Sequence, residues 1–129
     1  MARKYIDTNI FVRYWEGKEG LVNFFEKMEA GKKRCFLPSI VISEIVWVLG
    51  SYYDLEKAEI KEFVRSVLNI RNLKVVYKHD LVLALELFEK FNIKFTDCVI
   101  LSYMEKGDSL VSYDKEFDRI PWIKRLEPV

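Results

Sequence analysis

The sequence predicts an α/β protein: a three-layer α/β/α arrangement around a central, mainly parallel sheet of four to five strands. Three observations carry this. Short strand-like runs alternate with longer segments whose apolar residues recur at helical spacing. Only five Gly and three Pro interrupt the 129 residues, so regular elements fill most of the length. Half the residues are hydrophobic and 15% are aromatic, which supplies a core and excludes disorder. The length is that of one domain, residues 1–129, with no linker, repeat or low-complexity segment.

Lys4–Ile6 reads as the first strand, followed by a short helix or turn over Ile10–Trp15. Leu21, Val22, Phe24, Phe25 and Met28 then mark a helix that Gly31 stops. Arg34–Leu37 is the second strand, closed by Pro38. Ser39 is expected to cap the next helix, which runs to about Gly50 and is apolar nearly all round, as in a helix buried on more than one face. A further helix spans Leu55–Ile70, and Lys74–Tyr77 is the third strand. Leu81–Phe91 is amphipathic. Thr96 is expected to cap a helix with Asp97 in its first turn, continuing to Gly107. Ser109–Tyr113 is the fourth strand, and residues 122–126 supply a fifth at the edge.

Right-handed crossovers between parallel strands put all strand C-termini on one rim, where such sheets bind ligands. Asp7 and Asp114 each follow a strand, and Asp97 opens a helix. Glu44, one turn inside its helix, can reach the same rim. Taken singly, an Asp after a strand is a common turn former or cap. Glu44 is harder to dismiss, because it interrupts an apolar helix and charges are rarely buried unpaired. Four converging carboxylates repel one another unless a cation lies between them. Oxygen ligands of this kind suit Mg²⁺ or Mn²⁺, and such an ion activates water and steadies charge on a phosphate. The set therefore points to phosphodiester cleavage.

At this point the chain resembles a PIN-domain protein, in size the toxin ribonuclease of a virulence-associated (VapBC) toxin–antitoxin pair. The resemblance covers essentially the whole length. It rests on Asp7-Thr8-Asn9 after the first strand, Pro38 followed by Ser43-Glu44, Asp97 opening a late helix, and Ser112-Tyr113-Asp114 with Phe117 behind it. It implies a Mg²⁺- or Mn²⁺-dependent ribonuclease acting on single-stranded or structured RNA. Asp7, Glu44, Asp97 and Asp114 would match the family's four acids, and Asn9 the residue that holds them by hydrogen bonds. Thr8 fits a hydroxyl position, and Ser112 stands where the family more often has Thr. Asp118 is a second candidate for the fourth acid, or an auxiliary one. The resemblance also implies a homodimer and a small antitoxin whose tail blocks the acidic site.

Two other acidic-pocket chemistries fit poorly. A dehalogenase-type phosphatase needs a second Asp two residues after the first, where this chain has Asn9. A receiver domain needs paired acids ahead of its phospho-acceptor and a late Lys, whereas the first strand here offers one Asp. Two alternatives remain: a PIN-like module that binds RNA or protein without cutting, and a housekeeping RNA-processing nuclease.

The net charge of +1 indicates no blanket polyanion surface, and neutralising the four acids would leave +5. Arg13, Lys94, Lys115 and Arg119 lie near the acidic motifs and are candidates to hold RNA phosphates. Lys32-Lys33-Arg34 reads as a solvated turn, with contact to RNA backbone as the alternative. The lone His79 is expected in a capping or surface role. Trp15, Trp47, Tyr52 and Tyr53 serve either packing or a partner surface. Cys35 and Cys98 are expected to be buried free thiols. No apolar run approaches a membrane span, and Asp7 stands where a signal peptide needs its apolar region, so a cytoplasmic location is expected.

Overall fold

A computed structural model describes residues 2–129. Its strands are β1 (Lys4–Ile6), β2 (Cys35–Pro38), β3 (Leu73–Val76), β4 (Ser109–Val111) and β5 (Lys124–Leu126). Its α-helices are α1 (Thr8–Trp15), α2 (Leu21–Glu29), α3 (Ser39–Ser51), α4 (Lys57–Leu68), α5 (Leu81–Lys90) and α6 (Phe95–Ser102). A 3₁₀ turn over Lys115–Arg119 links β4 to β5.

All five strands pair in parallel, in the order β3-β2-β1-β4-β5. The chain winds from β1 out to β3, then returns to β4 on the far side of β1. Right-handed crossovers therefore put α1–α4 over one face and α5–α6 over the other. The direction of winding reverses between β1 and β4, which opens a crevice at their C-terminal ends. Asp7 and Ser112 are the residues that follow those two strands.

Both faces of a parallel sheet are covered, so its central strands are apolar. Tyr5, Ile6, Leu37, Leu110 and Val111 are buried, and Phe11, Phe24, Phe25, Ile45, Leu49, Ile100 and Phe117 pack around them. Cys35 and Cys98 are buried free thiols in this core. Among the described residues, no helix is long and apolar enough to cross a membrane.

Expected helix boundaries shift at α1, α3 and α6. The first helix begins at Thr8 rather than Ile10, because Asp7 caps it by accepting the Thr8 N–H at 2.8 Å. Ser39 lies inside α3 rather than capping it. The missing cap comes from a distant residue: the Tyr103 hydroxyl accepts the Ile40 N–H at 3.1 Å and bonds Ser39 Oγ at 2.8 Å. Helix α6 starts at Phe95, ahead of Thr96, with Phe95 set edge-on against Phe88 at 5.7 Å between ring centroids. It ends at Ser102, well before Gly107, where Ser102 Oγ turns back onto the Val99 carbonyl at 2.7 Å.

The apolar helix α3 is also less enclosed than its composition suggests. Only Val41, Ile45 and Leu49 are buried, a single i, i+4, i+8 stripe. Val46 and Trp47 face solvent on its other side, Trp47 being 60% exposed.

Candidate active site

Each acid reaches the crevice because a strand or helix ends there. Asp7 follows β1 and its N–H bonds the Val111 carbonyl of β4 at 3.0 Å, fixing it at the switch point. Asp97 sits in the first turn of α6, and Asp114 caps the 3₁₀ turn. Three of the four acids thus stand at helical N-termini, where the backbone dipoles offset part of their mutual repulsion. Glu44 enters from α3, and its Oε1 accepts the Thr8 hydroxyl at 2.6 Å.

A cleft of about 220 Å³ is lined by Asp7, Thr8, Asn9, Arg13, Glu44, Lys94, Asp97 and Asp114, with Val12 and Val48 on its wall. Ser112 is fully buried beneath it and acts as a hub. Its hydroxyl donates to Asp7 Oδ2 at 2.7 Å. The same oxygen accepts the Asn9 amide at 3.2 Å and the Asp114 N–H at 3.0 Å. Asn9 Nδ2 also approaches Asp7 Oδ2 at 3.4 Å, and its Oδ1 accepts the Tyr113 N–H at 3.3 Å. Asn9 and Ser112 therefore lock the β1 and β4 ends together and set the Asp7 carboxylate.

The electrostatics are those of a site under strain. Burial pushes Asp7 up to about 6, against the lowering effect of the Ser112 hydroxyl and the Thr8 N–H. Burial pushes Asp97 up further, to about 7, with Asp7 adding to the shift and Lys94 opposing it. Glu44 is raised by burial, while Thr8 and then Lys94 oppose it. Acids shifted this way in a cleft are what a functional site produces.

A comparison inside the same molecule separates structural from unsatisfied acids. Asp108 is as buried as Asp7, but its oxygens accept the Arg3 and Glu105 N–H groups, each at 2.8 Å. It closes the turn into β4. Asp97 is 5% exposed, and its Oδ2 is buried with no hydrogen-bond partner among the described residues. Leaving a carboxylate oxygen this way is costly, and a cation at the cleft would satisfy it. The donor set, all hard oxygens, fits Mg²⁺ or Mn²⁺.

The remaining candidates divide. Arg13 and Lys94 line the cleft, whereas Lys115 does not. Arg119 is occupied on the surface, donating to the Asn92 carbonyl at 3.1 Å. Asp118 is drawn away from the cleft by Arg125, whose Nε lies 2.9 Å from its Oδ1. That favours Asp114 over Asp118 as the acid of this segment. The residue that sequence reasoning passed over is Glu116. Its carboxylate and those of Asp97 and Asp114 offer oxygens that all lie within 4.8 Å of one another. The signal was the Asp114-Lys115-Glu116 spacing, legible only once the segment is known to be a tight turn.

Lys32-Lys33-Arg34 precedes β2 and so lies at the opposite rim, with Lys33 Nζ donating to the Val129 carbonyl at 2.6 Å. His79 is exposed before α5, its ring 5.2 Å from that of Tyr103, and Asp80 supplies the helix cap. Trp15 packs against the core, while Trp47 and Tyr52 meet edge to face outside it, with ring centroids 5.5 Å apart.

The PIN domain profile matches residues 4–123. The chain belongs to the PIN domain family. A curated relative of this PIN domain is a VapC ribonuclease of Aquifex aeolicus (strain VF5), 28% identical over 123 residues and aligned over 91% of each chain. Two solved structures share the fold over 98% of both chains with a TM-score of 0.74. They are VapBC2 from Rickettsia felis bound to a fragment of promoter DNA, at 20% identity, and DNA-bound VapBC from Salmonella typhimurium, at 16%. A toxin–antitoxin complex from Klebsiella pneumoniae matches at a TM-score of 0.62 and 18% identity, over 93% of this PIN domain.

Proposed function

We propose that the chain is a Mg²⁺- or Mn²⁺-dependent endoribonuclease, the toxin of a toxin–antitoxin pair. The observation that carries this is Asp97 Oδ2, a buried and unpartnered carboxylate oxygen among three other acids at the switch point of the sheet. The VapC relative, aligned over nearly the whole chain, supports RNA as the substrate.

When bound there, a divalent ion supplies a water of lowered pKa and positive charge beside the scissile phosphate. The chain's own residues do the rest. Asp7, Glu44, Asp97 and Asp114 would hold the ion; Asn9 and Ser112 fix Asp7, and Thr8 fixes Glu44, through the bonds described above. Arg13 and Lys94, on the cleft wall, hold the backbone phosphates of a single-stranded segment. Single-stranded RNA incubated with the protein and Mn²⁺ should be cut, and Asp7→Asn should slow cutting by at least about a hundredfold. RNA left intact by the wild type, with no change in the variant, would reduce the chain to a binding module.

The partner surface is separate from the cleft. Between α3 and α4 an apolar groove is floored by Val46, Ile60, Val64 and Leu68 and rimmed by Lys57, Lys61 and Arg65. Trp47 and Tyr52, 60% and 72% exposed, extend α3 beyond it. This surface suits an apolar segment with acidic flanks, which we assign to the antitoxin, in line with the complexes formed by the structural neighbours. Leu81, Val82, Leu85 and Phe88 make a second exposed apolar face on α5, which we assign to a second copy of the chain. Light scattering of the chain alone should give twice 15.4 kDa. Trp47→Asp should weaken antitoxin binding by roughly tenfold or more while leaving RNA cleavage unchanged; equal binding by the variant would remove this surface from consideration. The two buried free thiols support a reducing, cytoplasmic setting.

A further inference from the structure

The sheet is covered unevenly. Tyr5, Phe36 and Lys74 are in register across β1, β2 and β3, so their side chains share one face. The Tyr5 hydroxyl donates to the Tyr103 carbonyl at 3.2 Å, just past the end of α6, which marks this as the face that α5 and α6 cover. The cover stops short of β2 and β3. Phe36 is only half-buried, Lys74 is exposed, and no residue of the edge strand β3 is buried.

A hollow of about 680 Å³ opens on this bare part, lined chiefly by Arg3, Lys4, Arg34, Phe36 and Lys74. Among the described residues no acid lines it, and none of its four cations is in an ion pair. Glu105 and Asp108 line a neighbouring hollow that shares Arg3, and both Asp108 oxygens are occupied by backbone N–H groups. A second neighbour shares Arg34 and Lys74 and follows β3 without an acid. A basic track therefore leads from Arg3 across the sheet to its β3 edge.

Phe36 organises the cations. The Arg3 guanidinium carbon lies 4.7 Å from its ring centre and that of Arg34 lies 5.5 Å from it. A guanidinium seated on a ring keeps its N–H fork for a phosphate and loses less freedom on binding one. Like charge also crowds the adjacent rim, where Lys33 is lowered by burial and then by the Lys4 and Lys27 charges. Adjacent strands are about 4.8 Å apart, so the cations from β1 to β3 spread over about 10 Å, wider than a single phosphate. A run of phosphates fits that spread, and the guanidinium and phenyl planes offer stacking to unpaired bases. An acidic peptide would use the charges and leave the planes idle.

The acidic cleft is elsewhere. Arg3 and Asp7 flank opposite ends of β1, about 13 Å apart along the strand. Nucleotides in the hollow are therefore not those at the scissile bond. We propose that Arg3, Lys4, Arg34, Phe36 and Lys74 form an RNA-binding site, remote from the cleft, that grips the backbone of a folded substrate and so favours structured RNA over short single strands. This rests on the reading of the cleft as an RNA-cutting site.

The test is fluorescence anisotropy of a labelled RNA hairpin and of a short single strand, in EDTA, between about 50 and about 200 mM salt. The wild type should bind the hairpin more tightly. The double variant Arg34→Gln/Lys74→Gln, at two exposed positions, should bind the hairpin about tenfold or more weakly, with a salt slope shallower by about two, one for each phosphate contact removed. Its cleavage of the short single strand with Mn²⁺ should match the wild type, which also shows that it folds. The same charge loss in Lys57→Gln/Lys61→Gln should leave hairpin binding as it was. Unchanged hairpin affinity and slope in Arg34→Gln/Lys74→Gln overturns the proposal. Weakened binding of polyglutamate alone overturns it in favour of an acidic protein partner, and tighter, variant-sensitive binding of a DNA hairpin of the same sequence overturns the assignment to RNA. A chain that cuts no RNA, yet loses hairpin binding in the variant, overturns the nuclease reading and keeps the hollow as an RNA site. A chain that cuts RNA, with hairpin binding unaltered in the variant, overturns only the hollow.

Discussion

Asp97→Asn is expected to stabilise the metal-free protein at pH 8 while abolishing its activity. The two effects share one cause. Asp97 is buried, one of its oxygens has no donor, and burial followed by the Asp7 charge pushes it up to about 7. At pH 8 it is ionised in the folded state, at a cost set by the distance from its ordinary value of 3.8. One unit of such a shift is worth about 1.4 kcal/mol, so the ionised side chain costs on the order of several kcal/mol. Asparagine keeps the shape and removes the charge. Its own buried amide is imperfectly paired, which leaves a net gain of about 1–2 kcal/mol. For a chain of this size that is a rise in melting temperature of roughly 3–8 °C. The same substitution removes a carboxylate that the proposed cation site needs, so RNA cleavage should fall at least about a hundredfold. Calorimetry in EDTA checks the first effect. A variant that melts at or below the wild type would show that the Asp97 carboxylate is not held in the strained state described here.

This coupling of instability to activity also explains which parts of the protein were legible in its sequence. The alternation of strands and helices follows from local periodicity, and each of the five strands lies within two residues of its expected place. Glu44 announces itself because it interrupts an apolar helix, whereas Asp7, Asp97 and Asp114 do so only jointly, as acids at strand and helix ends, and all four line one cleft. What stayed hidden depends on contacts between residues far apart in the chain. Ser39 looks like a cap, but Tyr103, 64 residues away, fills that role. Thr96 loses the cap position because α6 already begins at Phe95, whose ring lies against Phe88 of α5. Composition makes α3 look enclosed, because no local pattern tells a helix covered by the sheet from one awaiting a partner. Asp118 is set aside for the same reason: Arg125, on the next strand, pairs with it, while Glu116 lies close to Asp97 and Asp114.

Divalent ions should stabilise the protein strongly at pH 8 and hardly at all at pH 5. Asp7 and Asp97 both have folded values raised above 3.8, to about 6 and about 7. Well below pH 3.8 both are protonated in the folded and unfolded chains alike, and neither costs stability. As the pH rises from about 4 to about 7, the unfolded chain releases these protons first, so the folded state binds more of them. Stability of the metal-free protein from these two groups therefore falls across that window and levels off above it. A bound cation reverses the sign, because it interacts with the ionised carboxylates that destabilise the empty cleft. At a hundredfold excess over its dissociation constant, Mn²⁺ should add about 2.7 kcal/mol at pH 8. At pH 5 the same ion must first displace protons from Asp97 and Asp7, and the gain should shrink towards zero. Melting curves with Mn²⁺ and with EDTA at the two pH values isolate the cleft, since titrating groups away from it contribute equally to both members of each pair. An equal gain at pH 5 and pH 8 would mean that the stabilising ion sits away from Asp7 and Asp97. A gain confined to pH 8, and lost in Asp97→Asn, would place it between them.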